Sequence, residues 1–483
     1  VNTSALTPFL IVSSAGVLAL LLGVLPARRA ARMLPTATGI LALVAALIVA
    51  RVQWGGPDET ALAENYLSDR FTLLLDSIFA VIGIAVLLLA WRESSSTDKR
   101  GEYAGLILLS LAGMMLVAAA GTTIVLFLGV ELFSVSLYVL CAMETWRSRS
   151  LEAGLKYLIV GAVGSGILLY GLALLYGATG TTTLSKMQDA LIDGHMLRDP
   201  LSIAALAMIV VGLGFKASAV PLHMWTPDVY DGAPTPITAF MATGTKVAAF
   251  AGFIRIFSDS LIGMFDDWRL PVALLAAVTI IVGNIAALLQ PGMKRMLAYS
   301  GIAQAGYVLI GIASGSMAGI EAVLYYLVAY TAMTMAAFAV VVMREREVLD
   351  GDQVNALRGL GRSRPMMGVV LTIAMLSLAG FPPLAGFIGK FMLFGAAVDA
   401  DMTWLAVVGA VGSMISLGYY LKVVAVTWQT GPPADDTTYR TPRSVTIVAV
   451  VSAAAVVLVA LFGESLLTLC NDAAQGLIGT INR

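Results

Sequence analysis

Charge is what this sequence has least of. Of its 483 residues 12% are charged, 29 Lys+Arg against 30 Asp+Glu, about half the ~25% share of an ordinary soluble domain. With 59% of the chain hydrophobic, no water-soluble fold of this size could hide its apolar surface, so lipid is the solvent for most of it. The net charge of −1 leaves no basic patch or tail, which excludes nucleic acid as a partner. Cysteine and histidine are scarce too, with two of each: Cys141, Cys470, His195 and His223. The cysteines stand far apart in apolar segments without a CxxC or His/Cys cluster, so neither a metal nor a redox centre is expected on this chain. Glycine-rich phosphate loops and Ser/His/Asp arrangements are missing as well.

What the chain has instead is apolar runs. Windows of 17 to 25 apolar residues bounded by polar or Gly/Pro turns predict fourteen spans, near 6–26, 36–52, 72–91, 103–119, 122–143, 152–176, 201–225, 235–257, 270–290, 293–314, 319–343, 366–396, 403–428 and 444–470. The expected fold is an all-α polytopic membrane protein. Span 1 lacks the basic n-region of a signal peptide, and its positive charges (Arg28, Arg29, Arg32) follow the apolar run, so it reads as a retained helix. Loops after odd-numbered spans hold seventeen Lys and Arg residues. The other side holds six (Arg70, Lys186, Arg198, Arg255, Arg269 and Arg483), which places both termini on the outer side. Arg51 and Lys422 lie near helix ends and can snorkel to the headgroups.

An internal repeat is visible. Span 6 opens LEAGLKYL (151–158) and span 11 opens IEAVLYYL (320–327). Tyr138-Val139-Leu140 falls on Tyr307-Val308-Leu309 at the same offset, and Pro221-Leu222 matches Pro383-Leu384 after a small loop-length change. The expected organisation is residues 1–100 as spans 1 to 3, two inverted five-helix repeats at 101–258 and 268–430, and a loop with the last helix at 431–483. Each repeat holds a proline-interrupted helix. Pro221 collides with the carbonyl of Ala217, and Pro382 with Pro383 releases the carbonyls of Leu378 and Ala379, so polar backbone is freed at membrane depth and needs protein or water around it. Interrupted helices in corresponding places mark an ion or substrate route.

Charged side chains inside the spans point the same way. Glu131 and Lys246 fall near the midplane, Lys216 near the centre of span 7, Lys156 one to two turns inside span 6, and Lys390 in the outer part of span 12. A midplane charge costs about 2.5–3.5 kcal/mol. A Glu131–Lys216 ion pair could be packing glue. Alternatively, burial disfavours the lysine charge while Glu131 favours it, so that small rearrangements switch protonation. His223, seven residues after Lys216, titrates near neutrality when unperturbed. His195 reads as a solvated outer-face residue. The segment 226–236 reads as an inner loop with two aspartates and no Lys or Arg; ordinary turn chemistry and an acidic proton-collecting mouth both account for it.

The run FKASAVPLHMWTPDVYDGAPTP (215–236), with ELFSVSLY (131–138) before it and KRMLAYS (294–300) after it, resembles the antiporter-like subunit N family of bacterial respiratory complex I. The resemblance covers spans 4 to 13; LAGFPPLAGF (378–387) is shared more widely among related antiporter-like subunits. It implies a proton-translocating membrane-arm subunit of an NADH:quinone oxidoreductase in the bacterial inner membrane, with no FMN, Fe–S cluster or quinone on this chain. The implied partners are complex I membrane subunits of the J, K, L, M, A and H types. The family's proton-translocating positions match Glu131, Lys156, Lys216, His223, Lys246 and Lys390. Many members carry a histidine on span 10 where this chain has Gln304, so Gln304, Tyr325 and water are expected to complete the central link. In the repeat alignment Glu131 falls on Ser300, Lys156 on Tyr325, Lys216 on Leu378 and His223 on Ala385; Lys390 therefore has no counterpart in Lys216 and is assigned to exit rather than loading. The alternatives are a subunit of a cation/proton antiporter complex or of a membrane-bound hydrogenase, and a non-conducting scaffold.

Overall fold

Lipid offers backbone amides and carbonyls no partner, so each apolar run closes its hydrogen bonds internally as helix. A computed structural model of the chain describes residues 3–25, 33–92, 99–348, 350–430 and 442–479. The first helices are α1 (Thr7–Val24), α2 (Leu34–Gln53), α3 (Arg70–Leu89), α4 (Arg100–Ala118), α5 (Thr123–Cys141) and α6 (Ser148–Thr179). An amphipathic helix, α7 (Leu184–Asp193), precedes α8 (Pro200–Ala217) and the short α9 (Trp225–Gly232). Helix α10 (Thr235–Phe240) runs through a π turn at Met241–Thr245 into α11 (Lys246–Arg255), which ends in a second π turn at Ile256–Ser260. Then come α12 (Phe265–Leu288), α13 (Met293–Ser314), α14 (Met317–Glu347), α15 (Leu360–Ser363), α16 (Pro365–Ala379), α17 (Ala385–Asp399), α18 (Thr403–Trp428), α19 (Arg443–Leu461) and α20 (Gly463–Gly479).

Thirteen of these passes are long and apolar enough to cross a membrane. The span expected at 366–396 is a further pass, divided into α16 and α17. Ends are set by ordinary capping chemistry: Asp69 accepts the Thr72 amide at 2.8 Å to open α3, and Asp199 accepts the Leu201 amide at 2.9 Å to open α8. Helices α4 and α5 meet through glycine. A Cβ at Gly113 would lie 2.5 Å from the Phe133 amide nitrogen and 2.8 Å from the Gly129 carbonyl, so only glycine allows this backbone approach, which draws the Glu131-bearing helix inward.

The passes differ in depth within the bundle. The apolar window of Thr235–Ser260 is wholly buried, and α13 and α14 are nearly so, whereas α1 and α19 present most of their surface outward. The central axis therefore consists of α10–α11, α13 and α14, with α17 packed on α13 and α14 and α8 packed on α11.

Several features depart from the expected pattern. The last span, expected at 444–470, stops at Leu461, where Gly463 and Glu464 interrupt the apolar run, and α20 folds back on α3 and α14. Residues Glu59–Ala61 (β1) and Tyr66–Ser68 (β2) form an antiparallel hairpin with Glu59 opposite Ser68 and Ala61 opposite Tyr66. Arg255, counted above among outer-side loop charges, is instead 0% exposed in the wall of the bundle, where Asp69 neutralises it. Arg51, Lys422 and His195 are exposed as expected. Arg28, Arg29, Arg32 and Arg483 lie outside the described residues.

Candidate functional site

The two interruptions share one hydrogen-bond pattern. After α8, Ser218 takes a left-handed conformation (φ 63°), the Ala219 amide donates to Gly214 and the Leu222 amide to Ala219. After α16, Gly380 takes the same conformation (φ 84°), the Phe381 amide donates to Leu376 and the Leu384 amide to Phe381. Pro221 and Pro383 occupy the same place in each and cannot donate to a preceding carbonyl. The carbonyls expected to be freed, Ala217, Leu378 and Ala379, are left without a helical amide.

Lysines fill those places. Lys246 Nζ donates to the Ala217 carbonyl at 2.6 Å. Lys390 Nζ donates to Leu378 at 3.0 Å and Ala379 at 3.3 Å, and stands 4.4 Å from the centre of the Tyr307 ring. The equivalent carbonyls, Ala217 and Ala379, thus each accept from a lysine, delivered by α11 in one case and by α17 in the other. Lys216, Lys246 and Lys390 are 3%, 2% and 3% exposed. Lys246 lies eleven residues into Thr235–Ser260, about 17 Å along a helix and near the middle of a ~30 Å core.

Lys216 and Glu131 are not in direct contact. Lys216 Nζ donates to Ser134 Oγ at 2.8 Å, and Ser134 donates onward to the Val130 carbonyl. Among the described residues no ion pair joins Lys216 to Glu131, and Glu131 Oε1 is buried without a hydrogen-bond partner. Glu131 and Ser134 are three residues apart on α5 and share one face. Ser134 therefore stands where the expected ion pair would form.

Beside Lys390 stands Gln304, 2% exposed. Its amide nitrogen donates to the Leu378 carbonyl and to the Tyr420 hydroxyl, each at 3.1 Å, while its amide oxygen accepts from the Tyr326 hydroxyl. Lys390 and Gln304 thus share the Leu378 carbonyl. Tyr420 continues to Ser300, and a neighbouring set joins Tyr419, Asn284, Tyr307 and Ser413. Tyr325 is not in this web: its hydroxyl points to the Val459 carbonyl on α19. One residue turns a helix by about 100°, and Tyr326 takes the place anticipated for Tyr325.

The segment 226–236 differs from the expected loop. Residues 225–232 form α9, packed on α6 and α13, because the chain resumes helix directly after the break. Asp228 bridges Lys156 at 3.3 Å and Arg295 at 2.9 Å, and Lys156 also pairs with Glu152 at 2.6 Å. With Arg149 and Asp231 these groups surround a cavity of about 220 Å³. Its lining balances three cations with three carboxylates, so it is a mixed mouth rather than an acidic one. The Lys156 side chain is 45% exposed and does not join the buried row. His223 lies inside the break, half-buried, with Nδ1 unpartnered and its ring 6.4 Å from that of Tyr299.

Residue reading missed Ser134, Tyr326, Tyr420 and Asn284, none of which carries a charge to mark it. It also missed Asp69, paired with Arg255, and two buried carboxylates, Asp76 and Asp259. The signal for Asp76 was present: a lone acid seven residues after Asp69 inside an otherwise apolar run.

Similarity to known proteins agrees with this geometry. The family model described as NADH:quinone oxidoreductase/Mrp antiporter, TM, matches residues 120–416. NADH-quinone oxidoreductase subunit N of Desulforamulus reducens is 38% identical over 440 residues, 91% of each chain. A chain of respiratory complex I from Thermus thermophilus, solved with bound aureothin, has a TM-score of 0.82 and 33% identity over 96% of this chain and 99% of its own length. A chain of the Mrp complex from Dietzia sp. has a TM-score of 0.84 at 23% identity, over 99% of this chain and 98% of that one, a likeness of fold alone. With its apolar passes, its paired interrupted helices and this similarity along nine-tenths of its length, the chain belongs to the NADH-quinone oxidoreductase subunit N family.

Proposed function

We propose that this chain moves protons across the bacterial inner membrane as a membrane subunit of NADH-quinone oxidoreductase, coupled to quinone reduction on other subunits. The observation that carries the reading is the placement of Lys246 and Lys390 on the carbonyls of two interrupted helices. An ammonium at this depth costs about 2.5–3.5 kcal/mol, and carbonyl dipoles offset part of that only while the hydrogen bond is made. Moving the helix ends by a hydrogen bond's length therefore changes whether each lysine keeps its proton. The mixed-charge mouth at Lys156 and Asp228 receives protons from the basic-rich, inner face. Lys216 loads under the influence of Glu131 through Ser134, Lys246 passes the proton on, the Gln304 web carries it across, and Lys390 serves the outer side. His223 supplies a titratable group at the first break. The neighbours in this assembly are the J, K, L, M, A and H types of membrane subunit, and both termini face outward.

The test is Lys216→Ala beside Lys216→Arg in the intact complex, reading protons moved per quinone reduced. Both variants should lower the ratio, because arginine stays protonated and cannot release. A full ratio in both, with normal assembly, overturns the reading.

A further inference from the structure

The face poor in basic residues carries a second site. A cavity of about 440 Å³ opens there between the β1–β2 hairpin, the start of α3, helix α7 and the end of α11. Carboxylates dominate its lining: Asp58, Glu59 and Glu64 from the hairpin, Asp69 from the cap of α3, Asp189 from α7, and Asp259 from the π turn after α11. Lys186 is its single lining cation and is taken by Glu64 at 3.3 Å, while Glu59 accepts the Ser4 hydroxyl at 2.6 Å. Asp69 is engaged by Arg255 through two bonds of 2.7 and 2.8 Å and by the Thr72 amide.

Asp259 stands apart from these. It is 5% exposed, and its buried Oδ1 has no hydrogen-bond partner. A buried carboxyl oxygen without a partner is open to a proton from the cavity that Asp259 lines. Its nearest counter-charge on its own helix is Arg255, one turn earlier and on the same face. Arg255 is fully committed elsewhere: besides Asp69 it donates to Thr72 Oγ1 and to the Ala118 carbonyl, both at 2.7 Å. The guanidinium thus lies one helical turn from Asp259 while Asp69 holds it in this structure. The π turn that carries Asp259 is anchored to α7 through Ser260, which donates to the Leu184 carbonyl, so movement of α11 against α3 alters the Asp69–Arg255 contact while Asp259 stays at the cavity.

We propose that Asp259 is a proton-binding site that discharges into this acidic cavity, with Arg255 as the counter-charge it exchanges with Asp69. While Arg255 is on Asp69, Asp259 holds its proton. When Arg255 turns to Asp259, the carboxyl O–H bond breaks, the proton passes to water in the cavity, and the carboxylate left behind is neutralised by the guanidinium. Asp69 then keeps the Thr72 amide and, as part of the lining of the same cavity, exchanges the guanidinium for cavity water. The same pass that bears Lys246 at its centre thus carries a release group at its end, about 20 Å further along the helix and additional to Lys390. The inference rests on the transport reading above for its purpose, but proton binding by Asp259 is measurable without transport.

The experiment is infrared difference spectroscopy of the full chain in its complex, in oriented proteoliposomes, with the pH stepped on one face at a time. A protonated-carboxyl band should respond to pH on the face bearing the β1–β2 hairpin, vanish in Asp259→Asn, and persist at a shifted frequency in Asp259→Glu. A band unchanged in Asp259→Asn, no band in the wild type, or a response only to the opposite face overturns the proposal. Asp259→Glu keeps a carboxyl and covers the case in which Asp259→Asn does not assemble: an unshifted band there equally overturns it. If Lys216→Ala stops proton movement while the Asp259 band is missing, this inference alone fails; if the band is present and Lys216→Ala moves protons normally, the transport reading alone fails.

Discussion

Gln304 is the residue at which side-chain chemistry decides most. It has two amide hydrogens and a carbonyl, and all three are used: toward Leu378, Tyr420 and Tyr326. Gln304→Leu keeps the approximate volume and removes every one of these partners. The Leu378 carbonyl retains Lys390, but the Tyr326 hydroxyl loses its acceptor, a loss of about 1–3 kcal/mol for a buried polar group. The expected outcome is an assembled complex with lower proton movement per quinone reduced, the defect lying between Lys246 and Lys390; a wild-type ratio would show that the central route bypasses α13. Gln304→His tests the converse, and a clear gain in proton movement would identify the native amide as the slow link. The position of Gln304 was legible from sequence because a departure from a motif is visible without coordinates. The choice of Tyr326 over Tyr325 was not, because two adjacent tyrosines on a helix differ only in which neighbour each faces.

At the scale of elements, the interrupted helices follow from proline, yet the tightness of the second follows from glycine. A Cβ at Gly386 would lie 1.9 Å from the Ser377 carbonyl oxygen and 2.8 Å from its carbon, and neither is a side chain that could swing aside. The Gly386 amide meanwhile accepts nothing and donates to Ser377 Oγ at 3.1 Å, tying α17 to the end of α16. Gly386→Ala should therefore spread the second break and weaken the seat of Lys390. Overpacking of this kind costs roughly 1–3 kcal/mol, and it should appear as a lower melting temperature of the solubilised complex together with a reduced proton ratio. Unchanged melting and an unchanged ratio would show that the backbone there yields freely. Proline spacing announces both breaks; the helix α9 that follows the first one reads as loop in the sequence, because Pro227, Asp228 and Gly232 are turn formers by composition, whereas in the structure it packs against α6 and α13.

For the whole molecule, one buried ion pair that joins the N-terminal helices to the central axis is Asp69 with Arg255, 186 residues apart in sequence and both essentially unexposed. Asp69→Ala leaves a buried guanidinium without its counter-charge, which is destabilising by about 3–5 kcal/mol. Loss of assembly, or a large fall in melting temperature, is expected from the single change. Asp69→Ala combined with Arg255→Met should recover much of it, since removing both charges spares the desolvation that one alone suffers. Equal damage in the single and double variants would mean that the pair acts through packing rather than charge.

The sequence by itself determined the membrane setting, the course of most of the passes, the two interruptions and three of the buried lysines, Lys216, Lys246 and Lys390, because apolar length, proline chemistry and the scarcity of charge in lipid are local properties that need no partner to be read. Span 13, expected at 403–428, matches α18 residue for residue. Tertiary structure alone decided which carbonyls Lys246 and Lys390 occupy, that Lys216 bonds Ser134 rather than Glu131, that Lys156 belongs to an exposed charged cluster with Asp228, and that Arg255 is buried rather than in a loop. Those outcomes depend on which helix faces which, and an aliphatic run carries too little angular pattern to say so when lipid and protein interior are equally apolar.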